Sequence, residues 1–321
     1  VDRADAVTRY VLHRVAGAAA VLLAAFTAAF AVLYLLPSDP VSIMLDQSST
    51  GGYVDPAQVD ALRARYGLDQ GPLQQYLGAL GRTLRGDLGT SVASGAPVAG
   101  LIAAALPETA RLAALALVLA VAGGGALATA ATWTRSARLR GFLLALPPLG
   151  VAVPTFWVGL VLLQVLSFRY PLFPAVGNRG VASLVLPAVT LAIPLGATVA
   201  QVLAHGMGAA WRAPYVETAL AKGATRTRVQ LHHVTRNAVL PALTLLGVLV
   251  GNVLAGSVVV ETVFSRQGFG RLVQSAVTTQ DIPVVLGLVV VAAAVFVVVN
   301  LLVDLAYPLL DPRLTRGRAA A

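Results

Sequence analysis

The residues best placed to do something specific lie between Pro214 and Pro241. Tyr215 to Lys222 is a run of good helix formers. Pro214 suits the first turn of such a helix, and Gly223 permits the left-handed turn that ends one. A second helix is expected over 225–237, carrying Arg226, Arg228, His232, His233 and Arg236. Pro241 then starts an apolar stretch. Small residues at Ala219, Ala221, Gly223 and Ala224 let a partner approach closely. The chemistry on offer is therefore docking. No G-x-x-x-x-G-K-[ST] phosphate loop is present, and the single lysine, Lys222, lacks that context. No zincin motif, nucleophile elbow or paired acid and base occurs. His232 and His233 are adjacent, so they point about 100° apart on a helix and are poorly placed to share a metal. Neither a catalytic group nor a metal site is expected.

The elements that hold this stretch are read from hydropathy. Of 321 residues, 57% are hydrophobic and 12% charged, and mean hydropathy is +0.79. Soluble domains carry roughly 25% charged residues. Charge-free windows run over 15–38, 112–134, 141–168, 180–211, 237–260 and 282–303. Each is long enough to cross a hydrocarbon core of about 30 Å as a helix. None shows the alternation of a barrel strand. The expected organisation is a single domain with spans at 9–36, 109–133, 141–168, 183–206, 238–260 and 282–306. An extracytoplasmic lobe occupies 37–106. A cytoplasmic loop covers 207–237, an outer loop 261–281 and a cytoplasmic tail 307–321. The window 88–107 is also charge-free but rich in Gly and Pro, and is read as an outer segment with a short interfacial helix. Within the lobe, Asp55-Pro56 starts one helical stretch, with Val59, Leu62 and Tyr66 on one face. Leu73 to Leu84 forms a second, amphipathic one.

Charge sets the orientation. With the N-terminus inside, the inner segments hold 14 of the 23 Lys and Arg, and the whole net charge of +9 falls on that side. This positive-inside pattern places both termini in the cytoplasm. The high pI then needs no nucleic-acid partner. The first apolar run continues to Leu36 without a small-residue cleavage site, which reads as a retained span. Cysteine is absent, so thiol chemistry is excluded.

Glu217-Thr218-Ala219, three residues, then Gly223 resembles the EAA signature of ABC importer permeases. The distance from Gly223 to Arg236-Asn237-Ala238-Val239-Leu240-Pro241 resembles the peptide and nickel branch of that family. The likeness extends along the chain. It includes Pro37-Ser38-Asp39-Pro40, Tyr66-Gly67-Leu68-Asp69 and Gly86-Asp87-Leu88-Gly89-Thr90-Ser91. Further matches are Leu106-Pro107-Glu108-Thr109, Pro154-Thr155-Phe156-Trp157, Val260-Glu261-Thr262-Val263-Phe264-Ser265 and Gly268-Phe269-Gly270-Arg271. Asn300 to Asp304 and Leu310 to Arg313 complete the set. It is similar to the first, B-type permease of the dipeptide and oligopeptide systems. Gln267 stands where that family usually has Pro, and Pro214 where an acid is common.

The resemblance implies an all-α integral membrane protein of six transmembrane helices, with type I ABC importer permease architecture. It implies a bacterial cytoplasmic-membrane protein that imports di- or oligopeptides, with nickel or another small solute as the alternative. Tyr215, Glu217, Ala219, Lys222 and Gly223 would form the coupling helix that seats on an ATPase. The implied partners are a second homologous permease, two ATPase subunits or a fused ATPase, and an extracytoplasmic binding protein. ATP and Mg would be bound by the ATPases, leaving no cofactor in this chain. A secondary transporter is the competing class, and it calls for carboxylates inside the spans. Only Glu261 and Asp304 come near.

Several single residues read two ways. Gln164, Gln201, Asn252, Ser257 and Asn300 are polar within spans and either line a pore or bond between helices. Glu261 is an outer-gate residue or an interfacial carboxylate near Arg266 or Arg271. Gly123-Gly124-Gly125 is a hinge or a packing face, and Gly247, Gly251 and Gly256 suit close packing or a smooth pore. Arg63, Arg65, Arg82 and Arg85 bind a peptide carboxylate or form a solvated surface.

Overall fold

A computed structural model describes residues 3–35 and 70–310. The expectations for the first part of the outer lobe, including its first helix and Arg63 and Arg65, lie outside the described residues, as does most of the tail. The described chain is helical. It runs α1 (Arg3–Leu35), α2 (Pro72–Leu84), α3 (Val98–Trp133), α4 (Ala137–Ala152) and α5 (Thr155–Leu163). It continues through α6 (Ala182–Trp211), α7 (Pro214–Ala221), α8 (Arg226–Val229), α9 (Thr235–Val263), α10 (Phe269–Thr278) and α11 (Ile282–Leu310). α5 and α8 each continue into a π-helical turn, Gln164–Arg169 and Gln230–Val234.

Among the described residues, four helices are long and apolar enough to cross a membrane: α1, α3, α6 and α11. A fifth is counted if α4 and α5 are one span bent by 96°. The remaining expected span lies in α9, whose described apolar stretch is Gly247–Val263.

Several boundaries differ from expectation. The short helix foreseen before residue 107 is the first part of α3, a single 36-residue helix with Pro107 inside it. A proline deletes one backbone donor, and here the helix continues past it. The span drawn straight over 141–168 is broken. Pro147 and Pro148 sit inside α4, and the break falls at Val153, which is extended (φ −76°, ψ 127°) ahead of Pro154. A residue before proline is pushed out of the helical region. The helix expected over 225–237 is not separate from the next span. α8, its π-helical turn and α9 follow one another without interruption, so α9 is under way six residues before Pro241. The loop at 261–281 contains α10, which was not foreseen.

The chain divides into two compact units, 1–107 with 271–297, and 108–270 with 298–321. In the first, α2 packs on α1. The motif at 86–91 forms left-handed turns: Gly86 and Gly89 have φ of +82° and +79°, and Asp87 accepts from the Gly89 amide. Buried Asp281 accepts from Ser91 Oγ (2.5 Å) and from the amides of Val92 and Ala93. The same carboxylate accepts weakly from Val284 (3.5 Å), so it also caps α11.

In the second unit α6 is the central helix and packs on α4, α5 and α9. It lacks a polar face because it is surrounded, and 56% of its apolar window is buried. α3 crosses it at Gly124 and Gly196. A Cβ on Gly124 would overlap the Gly196 carbonyl, and one on Gly196 would press on Ala120. Gly124 is thus a packing residue, while Gly123 has open space around it. Gly247 makes room for Asn300 of α11 in the same way, and Gly256 for Leu191.

Candidate functional site

α7 is eight residues long and starts on Pro214 after extended Ala213. Its C-terminus closes with two bonds: the Gly223 amide to the Leu220 carbonyl (2.9 Å) and the Ala224 amide to the Ala219 carbonyl (3.1 Å). This is the Schellman pattern, and it needs a left-handed residue at the first position past the cap. Gly223 supplies it, with φ +85°. Thr225 then caps α8 by accepting from the Arg228 amide.

The loop is pinned from beneath. Val216, Val229, Val234 and Ala238 are buried in the same core cluster as Leu112, Leu203 and Met207. Gln230, 1% exposed, is the polar centre of the joint. Its Oε1 accepts from Trp211 Nε1 (2.5 Å) at the end of α6, and its Nε2 donates to Thr132 Oγ1 (3.1 Å) at the end of α3. Arg226 stacks its guanidinium over the Trp211 ring at 4.7 Å, a cation–π contact. Tyr215 accepts from Asn237 Nδ2 through its hydroxyl (3.1 Å) and lies beside the His233 ring. No sequence signal marked Gln230, Trp211 or Thr132, since their partners are 19 to 98 residues apart.

The other face of α7 is open. Tyr215, Glu217, Leu220, Lys222 and Gly223 are exposed and Ala219 is half-buried. Glu217 stands in the first turn, where a carboxylate favours the helix dipole. Of the five residues foreseen for docking, Tyr215, Glu217 and Ala219 lie on this short helix, and Lys222 and Gly223 form its C-terminal cap.

A second polar cluster sits at the opposite end of α6, roughly 45 Å away at 1.5 Å per residue. Arg266 is 2% exposed. Its Nη1 donates to the carbonyls of Gly177 and Ser183 (3.0 Å each) and to Ser183 Oγ, and its Nη2 to Glu108 Oε2 (3.3 Å). Burial pushes the guanidinium down from its ordinary range, and the carboxylates of Glu108 and Glu261 push it back up. Glu261, 1% exposed, accepts from Thr109 Oγ1 (2.5 Å), which itself accepts from the Phe269 amide (2.7 Å). Any side chain at Gly268 would overlap the Glu261 carboxylate. Asn178 donates to Glu108 and accepts from the Gln267 amide (2.8 Å). That amide bond is one a proline at 267 would lack, so the departure from the family pattern is used. Glu261 belongs to this buried network, on the side of the interfacial-carboxylate reading.

Residues 120–316 match the model for "binding-protein-dependent transport system inner membrane component", and residues 7–113 match the corresponding N-terminal model. The chain belongs to this family. It is 33% identical to a probable peptide ABC transporter permease protein of Sinorhizobium fredii, over 95% of this chain and 98% of that one. It is also 33% identical to the dipeptide transport system permease protein DppB of Escherichia coli K12, over 89% and 92%. Among solved structures, an amino acid ABC transporter chain superposes with a TM-score of 0.50 at 17% identity, over 65% of this chain and 94% of that one. That likeness is one of fold. The permease is an all-α, multi-pass inner-membrane protein with ABC importer permease architecture.

Within the permease, the polar span residues separate into two groups. Ser257 is buried and bonds its own helix at the Leu254 carbonyl. Asn300 is packed against Gly247. Gln164, Gln201 and Asn252 are exposed. Asn252 lies on a stripe of α9 with Val248, Ala255, Val259 and Thr262, all exposed.

Proposed function

We propose that this permease is one half of the translocation path of an ATP-driven importer of di- or oligopeptides. A second homologous permease supplies the other half. α7 is the point where an ATPase subunit, or one half of a fused ATPase, docks, and an extracytoplasmic binding protein delivers the substrate. The observation that carries this reading is α7 itself. It is a helix closed at Gly223, bare on one face and seated on the core through Val216, and the turn that follows α8 is tied to the ends of α3 and α6 through Gln230. ATP and Mg belong to the partner subunits and hydrolysis occurs there. The excess of basic residues at the loop and termini puts both termini and α7 in the cytoplasm, where an ATPase can reach them.

Closure of the ATPases pushes on α7. The push passes through the Gln230 joint into α3 and α6 and tilts them toward an outward-facing state, and hydrolysis resets it. Such switching between two packed arrangements is a known repertoire. Gln164, Gln201 and Asn252 point away from the subunit's own core, where a polar amide in lipid is costly. They line the path at the interface with the second permease.

The peptide assignment rests on the relatives, which are peptide and dipeptide permeases. It is tested by uptake of labelled peptides into vesicles holding the complete complex, with and without the binding protein, alongside nickel. Peptide uptake that requires both ATP and the binding protein is expected. Nickel uptake without peptide uptake overturns the substrate, and uptake without ATP favours a secondary transporter.

A further inference from the structure

α2 is apolar on more of its surface than its neighbour covers. Tyr76 packs between Phe26 and Phe30 of α1 (ring centroids at 5.8 and 5.3 Å) and shares a hydrogen bond with Thr27 Oγ1 (2.8 Å). Leu73, Leu77 and Leu84 remain 69%, 56% and 79% exposed. At 100° per residue these three leucines fall within about 40° of arc. Gln75 and Arg82 project from the opposite side of the same projection, and Gln74 and the capping Arg85 from its flank. The helix therefore has a leucine edge, a tyrosine edge on α1 and a basic, polar back.

The position of the α1 contact decides what meets the leucines. The apolar stretch of α1 ends at Leu33, and Phe26 lies seven residues inside that end, about 10 Å down the helix axis. The hydrocarbon half-thickness is about 15 Å. Tyr76 is thus docked at a depth where the surroundings of α1 are acyl chains, and only 6% of the α1 window is buried in the protein. At 13 residues, α2 is too short to cross the bilayer, which needs about 20. A short amphipathic helix with cationic side chains opposite an apolar edge lies in the membrane interface.

We infer that α2 lies in the membrane leaflet at the C-terminal end of α1, the outer leaflet in the proposed orientation. Leu73, Leu77 and Leu84 sit among lipid acyl chains, and Arg82 and Arg85 on the headgroup side. The partner of this surface is the lipid bilayer, and α2 anchors the lobe that follows α1 to it. This assigns Arg82 and Arg85 to lipid phosphates rather than to a peptide carboxylate. The inference needs only the membrane placement of α1 and stands apart from the peptide reading.

The test exploits the absence of cysteine from this chain. Leu77→Cys, Leu84→Cys and Arg82→Cys are each labelled with an environment-sensitive bimane. The full complex is reconstituted in phosphatidylethanolamine–phosphatidylglycerol vesicles with plain or brominated acyl chains. Brominated chains should quench the label at 77 and 84 about twofold more than at 82, in keeping with an apolar face sunk about 5–10 Å below the headgroups. Aqueous iodide should show the reverse order. Iodide quenching at 77 and 84 equal to that at 82 overturns the inference in favour of water. Shielding that appears only when the binding protein is added, or no response to bromine at either position, overturns it in favour of a protein partner.

Discussion

The two ends of α6 are held by different physics. At its N-terminal end Arg266, Glu108, Glu261, Thr109 and Asn178 form a charged network that is mostly buried. At its C-terminal end Gln230, Trp211 and Thr132 form a neutral one. A buried charge that loses its partner is far costlier than a lost neutral hydrogen bond. The first end is therefore a fastener that resists rearrangement. The second is a joint whose bonds can be exchanged at modest cost, and it sits directly beneath the exposed face of α7. A transporter that must move at the loop and keep its opposite turn intact is suited by that division.

The comparison breaks most severely at Gly223. Gly223→Asp should abolish uptake while leaving membrane insertion and the melting of the isolated permease near wild type, because nothing lies within 4 Å of the added Cβ and the strain is confined to the turn. Full uptake with normal ATPase assembly would remove the docking role from α7. Next is Arg266→Ala, which removes the buried guanidinium that pairs with Glu108 and faces the Glu261 carboxylate and should cost about 3–5 kcal/mol, read as a lowered melting temperature in detergent. Arg266→Lys should recover only part, since one ammonium cannot match the fork that reaches Gly177, Ser183 and Glu108.

Gln230→Leu leaves the Trp211 indole N–H and the Thr132 hydroxyl without their partner and should cost about 1–3 kcal/mol. Its sharper readout is a fall in peptides moved per ATP hydrolysed. An unchanged ratio would make Gln230 a plain packing residue. The smallest effect is expected of Gln267→Pro, which deletes the amide bond to Asn178 and should cost about 1 kcal/mol. Uptake should persist.

The long apolar helices were legible in the sequence because lipid imposes long charge-free runs, and α7 because Pro214 and Gly223 punctuate it at fixed positions. The break in the third span was obscured by the wrong prolines. Pro147 and Pro148 look like stronger breakers, yet neighbouring helices keep such prolines inside a span, and the chain bends at Val153 instead. The motif residues Glu108, Thr109, Ser91 and Glu261 were visible as a pattern without a purpose. Thr109 meets Glu261 across 152 residues and Ser91 meets Asp281 across 190. No local periodicity encodes such pairings. The glycines were likewise ambiguous, because only the crossing of α3 and α6 tells Gly124 from Gly123.

That crossing has a consequence for motion. Where two helices meet backbone to backbone, neither can slip lengthwise past the other without first separating, and no side chain is present to flex and absorb the difference. α3 and α6 are keyed together at Gly124 and Gly196. Whatever displacement enters at Trp211 and Thr132 would then carry the two helices together, since the Arg266 network also ties their far ends to each other.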